Sequence, residues 1–359
     1  MKVGIVGAGS MGATHAAGWA ETPAVIGGFV AETEPEAQRL AAKSGARVYP
    51  DLAALVADVD VVDICTPTHL HHPMALQAAA AGKHIVCEKP LARTVAQGQA
   101  MIAACRQAGV KLLVAHVVRF FPEYALARQT VANGDIGRPT VIRLARGSFR
   151  PKKPAGNWFL DFEKSGGMML DLMIHDFDYA RWVAGEVESV FAKSVGHSRP
   201  GAAIDYGMAI LTHASGALSH VAGAWAYPPP TFRTRLEIAG DAGLIEFDSD
   251  AAAPIQMLLQ KASGESPDVG LPASPLSESP YTTQIKEFYA ALTADRPARI
   301  SAEDGLAAVR IALAAIESAQ RGKAVRVADV TELKSASSVS PICTPKPISR
   351  ICAPSPASR

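Results

Sequence analysis

Lys2-Val-Gly-Ile-Val-Gly7-Ala-Gly9-Ser10-Met11-Gly12, followed by Ala13 to Glu21 and by Ala24 to Glu32, decides how the first third of the chain folds. Residues 2–6 are an apolar run of strand length, Gly7 to Gly12 a glycine-rich turn, Ala13 to Glu21 a helix, and Ala24 to Ala31 a second strand. Between a strand and a helix, the spacing GxGxxG is a dinucleotide fingerprint. Gly7 permits the tight turn, Gly9 lets the backbone approach a pyrophosphate, and Gly12 lets helix and strand pack closely. Ser10 and Met11 lie in the same turn, and the N-terminus of the helix it opens meets phosphate charge with its free N–H groups. Glu32, 20 residues after Gly12, is placed to accept hydrogen bonds from the adenosine ribose, and its charge opposes a 2′-phosphate. Thr33-Glu34 supplies no Arg beside it, so NAD is favoured over NADP.

Working outward, the strand and helix alternation continues. Pro35 to Ser44 reads as helix, Val48-Tyr49 as strand, Leu52 to Ala57 as helix and Asp60 to Cys65 as strand. Pro73 to Ala81 (helix), His84 to Cys87 (strand), Val95 to Gln107 (helix) and Lys111 to His116 (strand) follow. This pattern predicts a doubly wound parallel sheet with ligands at the carboxyl ends of its strands. The ends to inspect are Thr66-Pro67-Thr68, Glu88-Lys89-Pro90 and His116.

After Arg119-Phe-Phe-Pro122 the pattern changes. Thr140 to Ser148, Ser189 to Ser194, Gly207 to His213, Ala217 to Tyr227, Arg233 to Ala239 and Leu244 to Asp248 read as strands. Ala-Ser-Gly and Gly-Asp-Ala-Gly turns join two pairs as antiparallel hairpins. Residues 262–280 read as a surface loop, and helices return at Tyr281 to Thr293 and Ala302 to Ala319. Residues 334–359 hold seven Ser, five Pro, four basic residues and no acid, which is the composition of a disordered tail. The expected division is 1–120, a Rossmann domain; 121–330, a domain for substrate and oligomerisation; and 331–359, the tail.

Composition narrows the function. The chain has 359 residues, 48% hydrophobic and 19% charged, with a net charge of +1, which gives no electrostatic footprint for nucleic acid or a membrane surface. A small-molecule partner is expected. No basic leader or signal segment precedes the first strand, so a cytoplasmic protein is expected. Five Cys without CxxC spacing suggest neither a disulfide framework nor a structural zinc site.

The second chemical stretch is Ser165-Gly-Gly-Met-Met-Leu-Asp171-Leu-Met-Ile-His175-Asp-Phe-Asp178. At about 100° per residue, Asp171, His175 and Asp178 share one face of a continuous helix, and Met173, Phe177, Ala180 and Ala184 form an apolar stripe on the other. A His with a pKa of about 6.5 suits proton transfer, and an Asp one turn away can fix its tautomer. Two metal-binding alternatives are weaker. His69-Leu-His71-His72 has no carboxylate or Cys nearby, and a cation on Asp171, His175 and Asp178 would be repelled by Lys89 if that strand-end amine points to the same spot.

The fingerprint, Ala81-Gly-Lys-His-Ile-Val-Cys-Glu88-Lys89-Pro90, Thr66-Pro67 with His71, Arg119-Phe-Phe-Pro122, and Gly166-Gly167 through Asp171 and His175 together resemble the glucose-fructose oxidoreductase, inositol dehydrogenase and rhizopine-catabolism (Gfo/Idh/MocA) family over residues 1 to about 325. The resemblance implies an α/β N-terminal Rossmann domain, a C-terminal α+β domain with an open, mostly antiparallel sheet, and a homodimer or homotetramer assembled through that sheet. It also implies Lys89, Asp171 and His175 as catalytic residues, Glu88 beside the nicotinamide ribose, and Thr66, Pro67 and His71 on the cofactor. Within such a site His175 is the expected base, Lys89 the cation that stabilises the developing alkoxide, and Asp171 the carboxylate that orients both. Arg119, Trp158 and Tyr227 are candidate polyol contacts. The expected activity is hydride transfer between NAD and a secondary alcohol of a sugar or cyclitol. The alternatives are a silent NAD or sugar sensor and a redox-assisted lyase or glycosidase on the same fold.

Overall fold

The computed structural model describes residues 1–151, 158–196, 205–250, 278–294 and 296–330. The expected loop over 262–280 falls almost wholly, and the tail over 331–359 entirely, outside the described residues. Six strands make the first sheet: β1 (Lys2–Val6), β2 (Val25–Val30), β3 (Arg47–Val48), β4 (Val61–Ile64), β5 (His84–Glu88) and β6 (Leu112–Ala115). Their order is 3-2-1-4-5-6 and every pairing is parallel. Helices cover both faces, which is why β1 after Lys2 and β6 read as continuous apolar runs rather than alternating ones. Strand order reverses between β1 and β4, where a crevice opens at the carboxyl ends.

The second sheet contains β7 (Pro139–Phe149), β8 (Val187–Val195), β9 (Asp205–His213), β10 (Leu218–Tyr227), β11 (Phe232–Gly240), β12 (Leu244–Asp248) and β13 (Val325–Arg326). The order is β12-β11-β7-β10-β9-β8-β13. Only β7 and β10 run parallel; the other pairs are antiparallel, including the two hairpins read from their turns. The helices Ile174–Ala184 and Ala302–Arg321 pack on one face of this sheet. Ser301 and Asp304 close a reciprocal capping box at the start of the longer one, satisfying two of its free N–H groups. The opposite face of β8, β9 and β10 carries Phe191, Met208, Ile210 and Leu218, all exposed. Phe191 stands opposite Ile210, and Ile210 opposite His220, so these side chains form rows across the sheet.

A linear cut near residue 120 does not separate the two cores. The helix Pro280–Thr293 returns to the first domain, where Ile285 and Phe288 share a buried cluster with Val3, Ile5, Trp19 and Phe29. Gly18 leaves the room for Ile285 to lie against the helix Ser10–Ala20. The helix Ala302–Arg321 also reaches back to the helix Val95–Ala108.

The expected continuous helix through Asp171 and His175 is broken. One helical turn spans Gly167–Asp171, and a separate helix begins at Ile174. Leu172 and Met173 both donate to the Met168 carbonyl, while Asp176 and Phe177 start a new ladder on Met173. Asp171 and His175 are therefore not one turn apart on a single helix. Nor does the second helix have a free polar face, since Ile174 to Ala180 are all buried. Met173, Phe177, Ala180 and Ala184 do pack inward as the periodicity predicts.

Candidate active site

A cavity of about 720 Å³ lies between the carboxyl ends of the parallel strands and the second domain. One end is the glycine-rich turn. Gly7 has φ of 101°, its N–H donates to the Val30 carbonyl at 2.8 Å, and a Cβ on it would come within 2.6 Å of the Cys65 carbonyl oxygen. A Cβ on Gly12 would fall 1.9 Å from the Gly7 carbonyl oxygen, so this glycine packs beneath the turn instead of lining the cavity. Gly9 faces open space and is the N-cap of the helix Ser10–Ala20, with no side chain bonded to the helix's free N–H groups. Gly7, Gly9, Ser10 and Met11 line the cavity, and so do Glu32, just past the end of β2, and Glu36 in the first turn of the helix Glu34–Ser44. Uncapped N–H groups, a bare backbone and a terminal carboxylate fit a pyrophosphate and the ribose beyond it.

At the other end Lys89, Asp171 and His175 converge from three elements. Lys89 follows β5, and its Nζ donates to the Asp171 carbonyl at 2.7 Å and to Asp171 Oδ1 at 3.2 Å. Both side chains are largely buried, so their attraction is weakly screened. His175, in the first turn of its helix, lines the same cavity; its Nδ1 has no partner among the described residues. Burial, then the charges of Lys89 and Arg146, hold this imidazole well below its usual pKa. The uncharged form is therefore favoured.

Under the cavity floor lies a second cluster. Glu88 accepts from the Lys89 N–H at 3.0 Å and faces His15 Nε2 at 3.1 Å. His15 Nδ1 lies 2.9 Å from Asp63 Oδ2, and Trp19 Nε1 donates to that same oxygen at 2.7 Å. Asp63 is an acid inside an otherwise apolar strand, tolerable only because these donors surround it.

Residues 1–116 match an oxidoreductase family with an NAD-binding Rossmann fold, and residues 124–246 match the GFO/IDH/MocA C-terminal domain. The chain belongs to the Gfo/Idh/MocA oxidoreductase family. It is 29% identical over 343 residues to a myo-inositol 2-dehydrogenase of Thermotoga maritima, covering 92% of this chain and 99% of that one. GenD2 from gentamicin A biosynthesis, solved in complex with NAD, matches at a TM-score of 0.80 and 27% identity, covering 91% of this chain and 96% of that one. Levoglucosan dehydrogenase, solved with NADH and levoglucosan, matches at a TM-score of 0.78 and 27% identity, covering 91% and 99%. As a Gfo/Idh/MocA protein the chain is an NAD-binding oxidoreductase.

Within this Gfo/Idh/MocA site, Thr66, Pro67, Glu88 and Trp158 also line the cavity. Three other expected contacts do not. The Arg119 guanidinium is buried away from it, bonded to both oxygens of Asp178 at 2.6 and 2.8 Å and to Asp304 at 3.3 Å. The same pair takes Asp178 out of the chemistry. His71 is also buried: Nδ1 lies 2.8 Å from the Pro90 carbonyl and Nε2 2.9 Å from the Thr66 carbonyl, so it braces two cavity loops from behind. Tyr227 lies at the end of β10 against Gly147, outside the cavity. Asp171 makes no hydrogen bond to His175 among the described residues, because the break at Leu172-Met173 turns it toward Lys89 instead. Sequence reasoning missed Tyr281, Trp225, Phe159, Phe232 and Lys164. Tyr281 opens a helix whose start was legible, but its approach to the cavity follows from the return of that helix to the first domain, which periodicity does not show.

Proposed function

We propose that this protein transfers a hydride between NAD and a secondary alcohol carbon of a sugar or cyclitol, and that Lys89, Asp171 and His175 are its catalytic residues. The observation that carries this reading is the convergence of Lys89 on Asp171, beside a neutral His175, in the cavity that begins at the dinucleotide turn. When bound, NAD supplies the hydride acceptor. His175 takes the hydroxyl proton, for which its uncharged form is required. Lys89 holds positive charge where alkoxide character develops, and Asp171 fixes the amine in that direction. Gly7, Gly9, Ser10, Met11, Glu32, Thr66, Pro67 and Glu88 hold the cofactor.

The aromatic wall supports a sugar or cyclitol substrate. Trp158 stacks on Phe159 with centroids 3.9 Å apart, and Trp225 meets Phe159 edge-on at 6.4 Å. Such a wall suits the C–H face of a ring whose hydroxyls point to Lys89 and His175. The relatives named for inositol and levoglucosan point to the same class of substrate. The exposed apolar side chains on β8, β9 and β10 suit a homodimer or homotetramer. Among the described residues Cys65, Cys87 and Cys105 are free, which suits the reducing cytoplasm, and no helix is long and apolar enough to cross a membrane.

A panel of inositols, anhydrosugars and aldoses, assayed with NAD and with NADP by nicotinamide absorbance, tests the reading. At least one polyol is expected to turn over, with kcat/KM favouring NAD by about 10-fold or more and the preference narrowing in Glu32→Ser/Thr33→Arg. NAD binding without turnover across the panel would overturn the dehydrogenase assignment in favour of a sensor.

A further inference from the structure

We propose that His15, closed in between the carboxylates of Asp63 and Glu88, is a positioning residue that fixes the Glu88-Lys89 turn and thereby sets where Lys89 meets Asp171. The argument rests on the catalytic reading above. His15 sits on the dinucleotide helix and is fully buried. Its Nδ1 lies 3.0 and 2.9 Å from the two oxygens of Asp63 on β4, and its Nε2 lies 3.1 Å from Glu88 Oε1 on β5. Trp19, one turn further along the same helix, clamps Asp63 from the other side. The second oxygen of Glu88 accepts the Lys89 N–H, and Lys89 Nζ reaches Asp171. Contacts therefore run unbroken from the helix that cradles the cofactor to the amine that would face the reacting oxygen.

The two ring nitrogens decide the charge. A neutral imidazole has one N–H and one lone pair, so it would set a lone pair against a carboxylate; an imidazolium donates to both. Burial by itself lowers the His15 pKa, but the charge and hydrogen bonding of Asp63, with Cys65, outweigh it and hold the ring well above the usual range. The groups facing the ring are Asp63 and Cys65 from the β4 side, Glu88 from β5, Trp19 from its own helix, and Tyr281 from the helix Pro280–Thr293. Without the His15 cation, Asp63 and Glu88 would be buried carboxylates with no counter-charge between them, and one would have to take a proton. A protonated Glu88 is a weaker acceptor for the Lys89 N–H, and the turn loses its anchor. Cys65, His15 and Asp63 also bring metal-ligand atoms within 4.8 Å of one another, but a cation there would displace the protons that already satisfy Asp63.

Two measurements test this. Nitrogen-15 spectra of the histidine rings in the full chain, without cofactor or substrate, should show both His15 nitrogens protonated from pH 6 to 8. A neutral His15 at pH 7 overturns the proposal. Because no substrate is needed, that failure is distinct from failure of the dehydrogenase reading. Second, His15→Leu should lower kcat about 10-fold or more on the polyol that the panel identifies, with the NAD dissociation constant from calorimetry changing by less than about 3-fold, and His15→Gln, which keeps one donor, should recover part of the loss. A merely structural His15 would lower the melting temperature and leave kcat per NAD-binding site unchanged, which also overturns the proposal. The ring spectra use the unaltered chain, so poor folding of either variant leaves the test standing.

Discussion

Two buried histidines stand on opposite sides of the Glu88-Lys89 turn, and their surroundings push them in opposite directions. His15 is wedged between carboxylates and keeps its proton; His175 faces Lys89, Arg146 and His116 and gives its proton up. Burial opposes the charged form in both, so burial does not distinguish them. The sign of the neighbouring charge does. Beneath the cavity the result is a fixed cation that can hold a turn in place. Inside the cavity the uncharged imidazole is favoured, the form that the proposed proton transfer needs.

The contrast can be broken most forcefully at Arg146. Its Nε and Nη2 each lie 2.8 Å from an oxygen of Asp176, the residue after His175, and both side chains are almost fully buried. Arg146→Met leaves the Asp176 carboxylate buried without its counter-ion. The expected loss is about 3–5 kcal/mol of stability, read by urea unfolding. The same change removes one of the cations that lower the His175 pKa. A loss below about 1 kcal/mol would show that water or another donor reaches Asp176.

The next effect is on rate. Lys89→Met and His175→Ala should each lower kcat by about 10²-fold or more with NAD affinity nearly intact, because each removes an interaction made with the reacting oxygen. The double variant should lose much less than the product of the two, since both groups act on one oxygen. Asp171→Asn should cost less than His175→Ala, because an amide oxygen can still accept from Lys89. Wild-type kcat in His175→Ala would move the base elsewhere, and loss of NAD binding in Lys89→Met would make that amine a cofactor residue.

How much of this was legible in the chain depended on the range of the interaction. The dinucleotide turn is local: strand, glycines and helix lie within about twenty residues, and Gly7 and Gly12 fill the roles their spacing implies. Lys89 at a strand end and the pair Asp171 and His175 also meet in one cavity, as their types suggest. The failures came where a distant partner decides the outcome. Arg119 reads as a polyol contact until Asp178 and Asp304 close around it. His71 reads as a contact until two carbonyls take its nitrogens. The helix through Asp171 has the right period, yet it breaks at Leu172, and a 3.6-residue pattern does not reveal which residue interrupts the ladder. His15 and Asp63 drew no notice at all: each sits singly in an apolar element, and only strand order brings them together.

The smallest expected effect follows from the same two histidines and separates them by pH. An unfolded His has a pKa of about 6.5. His175 is lowered in the folded state, so below that value the unfolded chain takes up a proton that the folded chain resists, and stability falls with pH, by at most about 1.4 kcal/mol at pH 5.5. His15 is raised, so its contribution is complete below about pH 6.5 and is lost as pH climbs through its folded pKa. Urea unfolding of the wild type, His175→Gln and His15→Gln from pH 5.5 to 9 should therefore give curves that diverge at opposite ends. His175→Gln should lose less stability than the wild type on going from pH 8 to 5.5, by an amount no larger than that limit. His15→Gln lacks that alkaline loss, and its own slope reports the proton that Asp63 or Glu88 takes up in place of the ring. The remaining groups are common to the wild type and His175→Gln and largely cancel in their difference, so parallel curves for these two would mean that the folded ring takes up its proton like an unfolded one, and the opposition between the two histidines would be gone.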